Sequence, residues 1–528
     1  MRSDHSRSRA GGIVKPIRLV YGVLTVGFWT LMSRVLGLLR EIILFGVIGP
    51  GPVMDAFVAA FRLPNMFRRF FAEGAFNAAF VPMFSKKYQA GDDPNLFASD
   101  ALNGLALVLL ALTAVAMIFM PALVWATAGG FGGTERFDLA VGFGRIMFPY
   151  IFFISLAALF SGVLNAGGHF AAAAAAPVVL NILVIAALIT AKFTGGQPVL
   201  YLVWSVPVAG IAQLALVWHA ALRAGLRLRL GRPRWTKDMR RLVVIAVPAA
   251  LAGGVMQINL VVGQQVASSF DKAVGWLYGA DRLYQLPLGV VGIAIGIVLL
   301  PDLSRKLKAN DTSGARAAFS RAAEISLALT LPAAVALCVI PLPLVSVLFE
   351  RGATTAADSA AMAQAVAIYG LGLPAFMLQK LLQPLFFARE DTRTPFRYAV
   401  VSMIVNAALA IGLIPMFGWL APAIATSAAG WAMVGLLALG ARRFGREAQF
   451  DARLRTRLWR ILAASAAMGV VLFLCQALAG SSFRVVGWRY LALSGLILAG
   501  IVSYVGFAQV LGAFKISEYR AALRRSSD

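Results

Sequence analysis

The residues with the clearest capacity for chemistry lie near the N-terminus, between Ser33 and Tyr88. This stretch holds five arginines and three acids within sequence that otherwise has the apolar character of two membrane-spanning helices. A charged side chain at bilayer depth costs at least about 2.5–3.5 kcal/mol, so we expect these arginines to face a hydrated cavity inside the protein. They are Arg34, Arg40, Arg62, Arg68 and Arg69.

Guanidinium groups gathered in such a cavity are suited to binding oxyanions. Each planar guanidinium forms two parallel hydrogen bonds to a carboxylate or phosphate, so a diphosphate would satisfy several of them. The alternative is that the arginines only pair with acids to fix helix packing. The acids available are Glu41, Asp55, Glu73 and Asp281. Because the arginines of this stretch outnumber its acids, we favour binding for the set.

Angular position on the second predicted helix separates its charges. At about 100° per residue, four of them fall within an arc of about 40°: Asp55, Arg62, Arg69 and Glu73. We predict that these four neutralise one another. Arg68 points roughly 100° away from the arc and has no acid three or four residues from it in the sequence. We therefore predict that Arg68 is available to a ligand.

The first predicted helix contributes further charges. Arg34 and Glu41 lie two turns apart on one face, whereas Arg40 has nearby only the adjacent Glu41, which points in another direction. Gly37, together with Ser33, would let this helix bend or unwind.

The eighth predicted helix carries Asp281 and Arg282, followed by Gln285. Residues 281–308 resemble residues 61–88, because both stretches open on an Arg-Leu pair, carry a late proline and end on serine and basic residues. Arg282 thus occupies the repeat position of Arg62. The two halves of the chain would present arginines towards one another across a cavity.

Composition places the chain in a membrane. Its 528 residues are 60% hydrophobic and 13% charged, with a mean hydropathy of +0.80, which is too apolar for a soluble protein. The first apolar run is longer than that of a signal peptide and lacks a clear cleavage site, so we expect it to stay as the first span. The formal net charge of +25 comes from short loops between apolar runs, which favours helix orientation over nucleic-acid binding.

Hydropathy predicts an all-α polytopic membrane protein with fourteen transmembrane helices. They cover residues 18–48, 53–85, 96–128, 136–165, 171–194, 199–222, 242–268, 273–303, 317–348, 359–387, 396–417, 420–441, 458–479 and 489–512. Lysine and arginine concentrate in both tails and in the loops after even-numbered helices. The positive-inside rule therefore places both termini in the cytoplasm.

Basic connections at 223–241 and 442–457 divide the helices into groups of six, six and two, and the first two groups are predicted to be repeats. A second match supports this, since 165–181 parallels 390–406. Two such lobes, related by an axis along the membrane normal with a cavity between them, form the architecture of a transporter. The predicted divisions are a lobe at 18–222, a lobe at 242–441 and two additional helices at 458–512.

Catalysis has no support in the sequence. It lacks a Walker motif, a nucleophile elbow and a cluster of metal ligands. Cys338 and Cys475 sit in apolar runs without partner spacing. We expect no enzyme activity, no metal and no cofactor, with a gradient or the membrane potential as the energy source and the coupling ion, if one is used, left open.

With these residues in place, the chain resembles the MurJ (MviN) family of lipid II flippases, within a superfamily that also contains multidrug exporters and polysaccharide-unit flippases. The resemblance extends over nearly the full length. It rests on the arrangement of helices and on SRVLGLLRE (33–41), DAFVAAFRLPNMFRRFFAEGAFNAAFVP (55–82) and ADRLYQLPLGVVGIAIGIVLLP (280–301).

The resemblance implies a protein of the bacterial cytoplasmic (inner) membrane that carries the undecaprenyl-diphosphate-linked peptidoglycan precursor to the outer leaflet by alternating access. It implies an apolar groove for the polyprenyl tail at the last two helices. The implied substrate-binding residues are Ser33, Arg34, Arg40, Arg68 and Arg282. The residues implied in gating or charge balance, with Asp55 near the extracytoplasmic gate, are Glu41, Asp55, Arg62, Asn65, Arg69, Glu73 and Asp281.

Two positions depart from the family pattern. Glu41 stands where some members have aspartate, and Gln285 stands where an acid is expected, which removes one partner for Arg282. The implied partners are lipid II, membrane phospholipids and other cell-wall synthesis proteins, with no nucleic acid.

Four other functions compete with this one. A flippase for another polyprenyl-diphosphate-linked glycan fits the same residues. An exporter of cationic drugs is disfavoured because the arginines would repel its substrates. A membrane enzyme of cell-wall polymerisation would require catalytic acids exposed outside. A non-transporting scaffold would tolerate substitutions in the cavity.

Overall fold

The computed structural model describes residues 16–69, 75–309, 311–483, 485 and 487–513. Every regular element in these ranges is a helix, which agrees with the predicted all-α class. Ten helical segments there are long and apolar enough to cross a membrane, so the protein is a multi-pass membrane protein. The cytoplasmic location of both termini stays a prediction. So do the four other predicted spans, 18–48, 53–85, 242–268 and 273–303.

The described part of the first half of the chain forms nine α-helices. They are α1 (Pro16–Val47), α2 (Pro52–Arg68), α3 (Ala75–Ala90), α4 (Pro94–Ile118), α5 (Met120–Ala128), α6 (Glu135–Met147), α7 (Tyr150–Ala166), α8 (Ala171–Thr194) and α9 (Pro198–Arg223). Two predicted spans, 96–128 and 136–165, are each divided into two helices. The breaks fall beside Pro121 and Pro149, because proline lacks an N–H and disfavours helix in the preceding residue.

The second half, as far as it is described, forms eight more helices before the basic connection at 442–457. They are α10 (Lys237–Ala267), α11 (Ala273–Lys308), α12 (Thr312–Val339), α13 (Pro341–Phe349), α14 (Ala356–Phe387), α15 (Arg393–Gly412), α16 (Ile414–Phe417) and α17 (Ala421–Ala441). The predicted span 317–348 breaks at Pro341. Since 96–128 breaks at Pro121, the third predicted span of each half is interrupted by a proline.

The last two described helices, α18 (Ala452–Ala479) and α19 (Trp488–Val510), pack on each other and on α12 and α13 through a small apolar core. Ile461 and Leu472 of α18 and Leu496 of α19 are buried in it. A much larger core runs through the first nine helices and continues into α11 and α14. The division into lobes at 18–222, 242–441 and 458–512 remains a prediction.

Helix α1 is continuous from Pro16 to Val47, so it does not unwind at Ser33 or Gly37 as was considered from the sequence. It packs along α8, where Asn181 Nδ2 donates a hydrogen bond of 3.0 Å to the Ser33 carbonyl oxygen. Gly37 faces the same amide, so its missing side chain allows the close approach. Asn181 thus joins α8 to α1 by an interhelical hydrogen bond.

Candidate functional site: a charged cluster between α1, α2, α11 and α14

A buried carboxylate joins α1 to α11. Glu41 is 2% exposed, and its Oε1 accepts a hydrogen bond of 3.0 Å from the Tyr278 hydroxyl. Arg40 donates to the same oxygen, and the Nε of Arg282 lies 3.7 Å from it. The Arg282 guanidinium also stacks on the Tyr278 ring, 4.4 Å from its centroid. One acid thus balances two arginines from different helices.

The contact between Arg40 and Glu41 corrects the prediction that these neighbours point apart. Backbone directions of adjacent helical residues do diverge, but the long arginine side chain reaches back to the carboxylate. Arg34, two turns earlier on α1, has no ion pair with Glu41 among the described contacts. Proximity on one helix face therefore did not identify the partner of Glu41.

A second acid, Asp281, lies on α11 about one helical turn after Tyr278. Asp281 accepts a hydrogen bond from Gln285 and interacts electrostatically with Arg62 of α2. Arg62 also donates a hydrogen bond of 3.2 Å to the Leu260 carbonyl oxygen and lies near enough to Arg282 for their charges to repel. Residue 285 is glutamine where the family pattern has an acid. Its amide can therefore donate this hydrogen bond to Asp281 within the same helix.

Arg34 lies at a close crossing of α1 and α11. A Cβ atom placed on Gly289 would overlap the Arg34 guanidinium, so the glycine leaves the space that this group occupies. Lys380 of α14 is exposed, and its positive charge interacts with that of Arg34. This interaction with Arg34 adds Lys380 to the cluster.

The remaining predicted residues on α2 take several positions. Asn65 donates a hydrogen bond of 2.9 Å to the Phe61 carbonyl oxygen within its own helix. Arg68 is half-buried at the end of α2 and interacts with other groups of the chain, and its availability to a ligand stays a prediction. Arg69 follows α2 and is exposed. Glu73 lies outside the described residues.

Asp55 has different partners from those predicted on its own helix. It is fully buried, and its Oδ1 accepts a hydrogen bond of 2.8 Å from the Gly275 N–H at the start of α11. Its Oδ2 lies 3.6 Å from Arg136 of α6, which in turn lies 3.2 Å from Asp271. Side chains from neighbouring elements are nearer than residues two turns along α2. The predicted neutralisation of Asp55 by Arg62 and Arg69 is therefore wrong.

A second group of contacts joins the two halves of the chain at the end of the molecule that holds Asp55. Asp358 accepts hydrogen bonds from Lys272 Nζ at 3.2 Å and from Trp276 Nε1 at 3.0 Å. Thr354 donates a hydrogen bond of 2.7 Å to the Phe45 carbonyl oxygen in the last turn of α1. The start of α2 and the end of α1 are therefore both tied to the second half of the chain.

At the opposite end, α3 and α10 are joined by Lys87. Its ammonium group lies 2.7 Å from Asp92 and 3.1 Å from Asp238. Hydrogen bonds to Asp92 and Asp238 raise the pKa of Lys87. This pairing is on the surface, so it contributes about 1 kcal/mol or less and is easily broken.

Two apolar clefts border α18. The first, of about 850 Å³, lies between α12, α14, α17 and α18 and includes Leu371, Pro374 and Phe473. The second, of about 720 Å³, lies between α12, α13, α18 and α19 and includes Leu329 and Ile501. Among the described residues, no three His, Cys, Asp or Glu side chains gather in a way that would hold a metal ion.

Comparison with known proteins identifies the family. The family model described as "Lipid II flippase MurJ" matches residues 45–493. The chain belongs to this family. It is a family of transporters. A protein of Rhizobium tropici named "Probable lipid II flippase MurJ" is 44% identical over 518 residues, covering 96% of this chain and 97% of the relative. A lipid II flippase MurJ of Burkholderia cenocepacia is 36% identical over 410 residues, covering 76% and 80%.

Solved structures agree with this assignment. A structure described as lipid II flippase MurJ in an inward closed conformation superposes with a TM-score of 0.77 at 26% identity, covering 92% of this chain and 98% of that one. An inward-facing multidrug resistance MATE family transporter of the MOP superfamily gives a TM-score of 0.67 at 15% identity, covering 80% and 98%. The second likeness shows a shared fold alone.

Proposed function

We propose that this protein is a lipid II flippase of the bacterial inner membrane, which moves the undecaprenyl-diphosphate-linked peptidoglycan precursor from the inner to the outer leaflet by alternating access. Membership of the MurJ family over residues 45–493 is the observation that carries this proposal. The charged cluster between the halves supports it, because it offers a surplus of cations to a diphosphate.

The diphosphate would bind among the cations of the cluster. Among the described residues, five positive side chains gather there with two acids, Glu41 and Asp281, between them. The cations are Arg34, Arg40, Arg62, Arg282 and Lys380. A bound diphosphate would bring this region towards neutrality. The family resemblance adds Ser33 and Arg68 to the proposed site, with Asn65, Arg69 and Glu73 in gating or charge balance.

The polyprenyl tail would occupy the first of the two apolar clefts, which borders α18, one of the two helices where the family resemblance implies the tail groove. That cleft is lined by α14, the helix that also carries Tyr369 and Lys380 towards the cluster. Tyr369 packs against Tyr284 of α11 with ring centroids 5.0 Å apart. A lipid whose head lies in the cluster would therefore have an apolar surface within reach for its chain.

Release at the outer face requires the contacts of Asp55 and Asp358 to separate. We propose that the membrane potential drives part of this cycle. Moving one charge across the membrane is worth about 2.3 kcal/mol per 100 mV, which is comparable to the few kcal/mol that separate such states. An ion gradient is the other candidate energy source.

The deciding experiment measures lipid II by leaflet in cells depleted of this protein. An externally added agent that cleaves only outward-facing headgroups reports the accessible pool. We expect this pool to fall while total lipid II rises, and the wild-type gene to restore it. An unchanged pool, together with accumulation of a different polyprenyl-diphosphate-linked glycan, would replace lipid II by that glycan as the substrate.

Gly289→Val is expected to reduce transport by displacing the Arg34 guanidinium, whose space a side chain at this position would enter. We expect at least a tenfold loss, corresponding to about 1.4 kcal/mol of binding. Transport is read from the accessible lipid II pool at matched expression. Gly435→Val is the control, since it adds the same side chain to a helix where nothing lies within 4 Å. Equal loss in both variants would contradict the explanation.

Arg136→Ala is expected to loosen the end of the molecule closed by Asp55. Loss of a hydrogen-bonded charged partner is worth about 1.5–3 kcal/mol, so the open form should rise at least about tenfold. The readout is alkylation of Met54→Cys, a fully buried position beside Asp55, in a background lacking Cys338 and Cys475.

Arg145→Ala is the matched control for this measurement. Arg145 lies on the same helix but is exposed, and its hydrogen bond within the described residues goes to the Met117 carbonyl oxygen at 3.2 Å. Its removal should leave the rate of alkylation at position 54 unchanged. An equal rate for Arg136→Ala and the parent protein would exclude the proposed closure.

A further inference from the structure

The connection between the two halves of the chain is attached to the first half. After α9 ends, residues 226–231 are not helical and run along α4. The sequence at 226–230 alternates leucine and arginine, which suits a segment with one face against the protein and one against water. Leu226 and Leu228 are buried in the large core, whereas Arg227 and Arg229 are exposed. We call residues 226–231 the strap.

Two side chains of α4, about one helical turn apart, hold the backbone of the strap. Ser99 Oγ accepts a hydrogen bond of 3.0 Å from the Arg229 N–H. The Asn103 side chain accepts a hydrogen bond of 3.0 Å from the Gly231 N–H and donates one of 3.2 Å to the Arg229 carbonyl oxygen. Three hydrogen bonds and two buried leucines therefore fix the strap to the first half.

The residues that follow the strap have no such attachment. Residues 232–235 are exposed, and in this stretch of the described chain they form no hydrogen bond or ion pair. Thr236 then caps α10 by accepting a hydrogen bond of 3.2 Å from the Met239 N–H. We call residues 232–236 the tether. Five residues span at most about 17 Å when fully extended, so the start of α10 stays within that distance of Gly231 while the strap is attached.

The start of α10 is held to the first half more weakly than the strap is. Asp238 lies 3.1 Å from Lys87 at the surface, and the buried Met239 side chain packs beside Gly104 of α4. An exposed ion pair and one buried side chain contribute less than two buried leucines with three hydrogen bonds. When this end of the molecule opens, we therefore expect the contacts of α10 to break while the strap stays in place.

We infer that the strap remains on the first half throughout the transport cycle and that the tether sets how far the start of α10 can separate from α4. This inference rests on the proposed alternating access, in which the two halves part at this end to admit the lipid headgroup. The length of the tether limits the opening. It also keeps Asp238 close enough to pair with Lys87 again when this end closes.

The first test measures alkylation of two buried positions in the full-length protein in detergent, in a background lacking Cys338 and Cys475. Leu228→Cys reports the strap, and Met239→Cys reports the start of α10. Asp238→Lys places a second positive charge beside Lys87 and favours separation. We expect it to raise the alkylation rate at position 239 about tenfold and to leave the rate at position 228 unchanged.

The control for this change of charge is Asp138→Lys, at an exposed position on α6, which should alter neither rate. An equal rise at position 228 would show that the strap leaves together with α10, and no rise at position 239 would show that the Lys87 pair does not hold this end. Either result would overturn the inference.

A shorter tether should restrict the opening. Removal of Pro233 and Arg234 takes away about 7 Å of reach. In the Asp238→Lys protein, we expect this deletion to slow alkylation at position 239 at least fivefold. The matched control replaces both residues by glycine, which removes the same side chains and keeps the length, and its rate should equal that of Asp238→Lys alone. Equal rates for the deletion and its control would contradict a limit set by the tether.

Releasing the strap should reverse the effect of the deletion. Asn103→Leu keeps a similar side-chain volume and removes two of the three hydrogen bonds, so that the six residues of the strap add to the length of the tether. Combined with the deletion, it should restore alkylation at position 239 and increase it at position 228. Thr113→Val, a buried position ten residues further along α4, is the control and should restore neither. Failure of Asn103→Leu to restore the rate would refute the role of the strap.

These rates are measured without lipid II, so they test the strap independently of the transported lipid. In cells, the deletion should lower the externally accessible lipid II pool, and Asn103→Leu should raise it again. A wild-type protein that fails to move lipid II while the alkylation results hold would refute the proposed substrate and leave the inference on the strap intact.

Discussion

Arg282→Ala is expected to abolish measurable translocation of lipid II while the protein still folds and reaches the membrane. Arg282 is one-third exposed, lies 3.7 Å from Glu41 and stacks on Tyr278, so its guanidinium is held in place with part of its surface turned to the cavity. Hydrogen bonds to a charged ligand are worth about 1.5–3 kcal/mol each. Loss of a bidentate contact therefore reduces binding by roughly a hundredfold or more.

The measurement is the externally cleavable lipid II pool at equal protein level. Arg282→Lys keeps the charge but not the planar fork, and we expect it to recover only part of the activity. Arg305→Ala, on the same helix with a side chain 77% exposed, is the matched control and should be fully active. Full activity of Arg282→Ala would remove Arg282 from the binding site.

Glu41→Ala is expected to destabilise the protein as well as inactivate it. The substitution leaves Arg40, 13% exposed, and Arg282 without the carboxylate that both contact, and it removes the acceptor of the Tyr278 hydroxyl. Removing one partner of a buried ion pair costs about 3–5 kcal/mol. The measurement is thermal or denaturant unfolding of the protein in detergent, alongside the lipid II assay.

A double variant separates the two effects of Glu41. Glu41→Ala combined with Arg282→Met removes opposite charges together, so we expect stability to recover in part while transport stays absent. Glu135→Ala removes an exposed acid at the start of α6 and should change neither property. A Glu41→Ala protein as stable as the parent would mean that this carboxylate does not hold α1 against α11.

Much of the fold was predictable because apolar runs of the right length are an unambiguous signal. The breaks beside Pro121, Pro149 and Pro341 were missed, since hydropathy averaged over a window passes through a single proline. Charges within apolar sequence were equally visible, which is why Glu41 and Arg282 were found.

The pairing of those charges was less predictable. Angular position on one helix compares a residue only with its own helix, so it assigned Asp55 to Arg62 and Arg69. The actual partners, Arg136 and the Gly275 N–H, come from other helices and depend on tertiary packing. In the sequence Asp358 comes three residues after Thr355, and this spacing indicates only a helix cap. Its second role with Lys272 and Trp276 follows from packing.

The fastening of α1 to residues 353–354 also has a consequence for how the chain is assembled. The carbonyl oxygens of Phe45 and Gly46, in the last turn of α1, accept hydrogen bonds from Thr354 and the Ala353 N–H. Carbonyls at the end of a helix have no partner within it. During synthesis these two carbonyl oxygens cannot accept those hydrogen bonds until some 300 further residues have been made, because Phe45 and Thr354 are 309 residues apart in sequence. Closure at this end of the molecule is thus a late event in biogenesis, completed only after the helices that precede α14 have been synthesised.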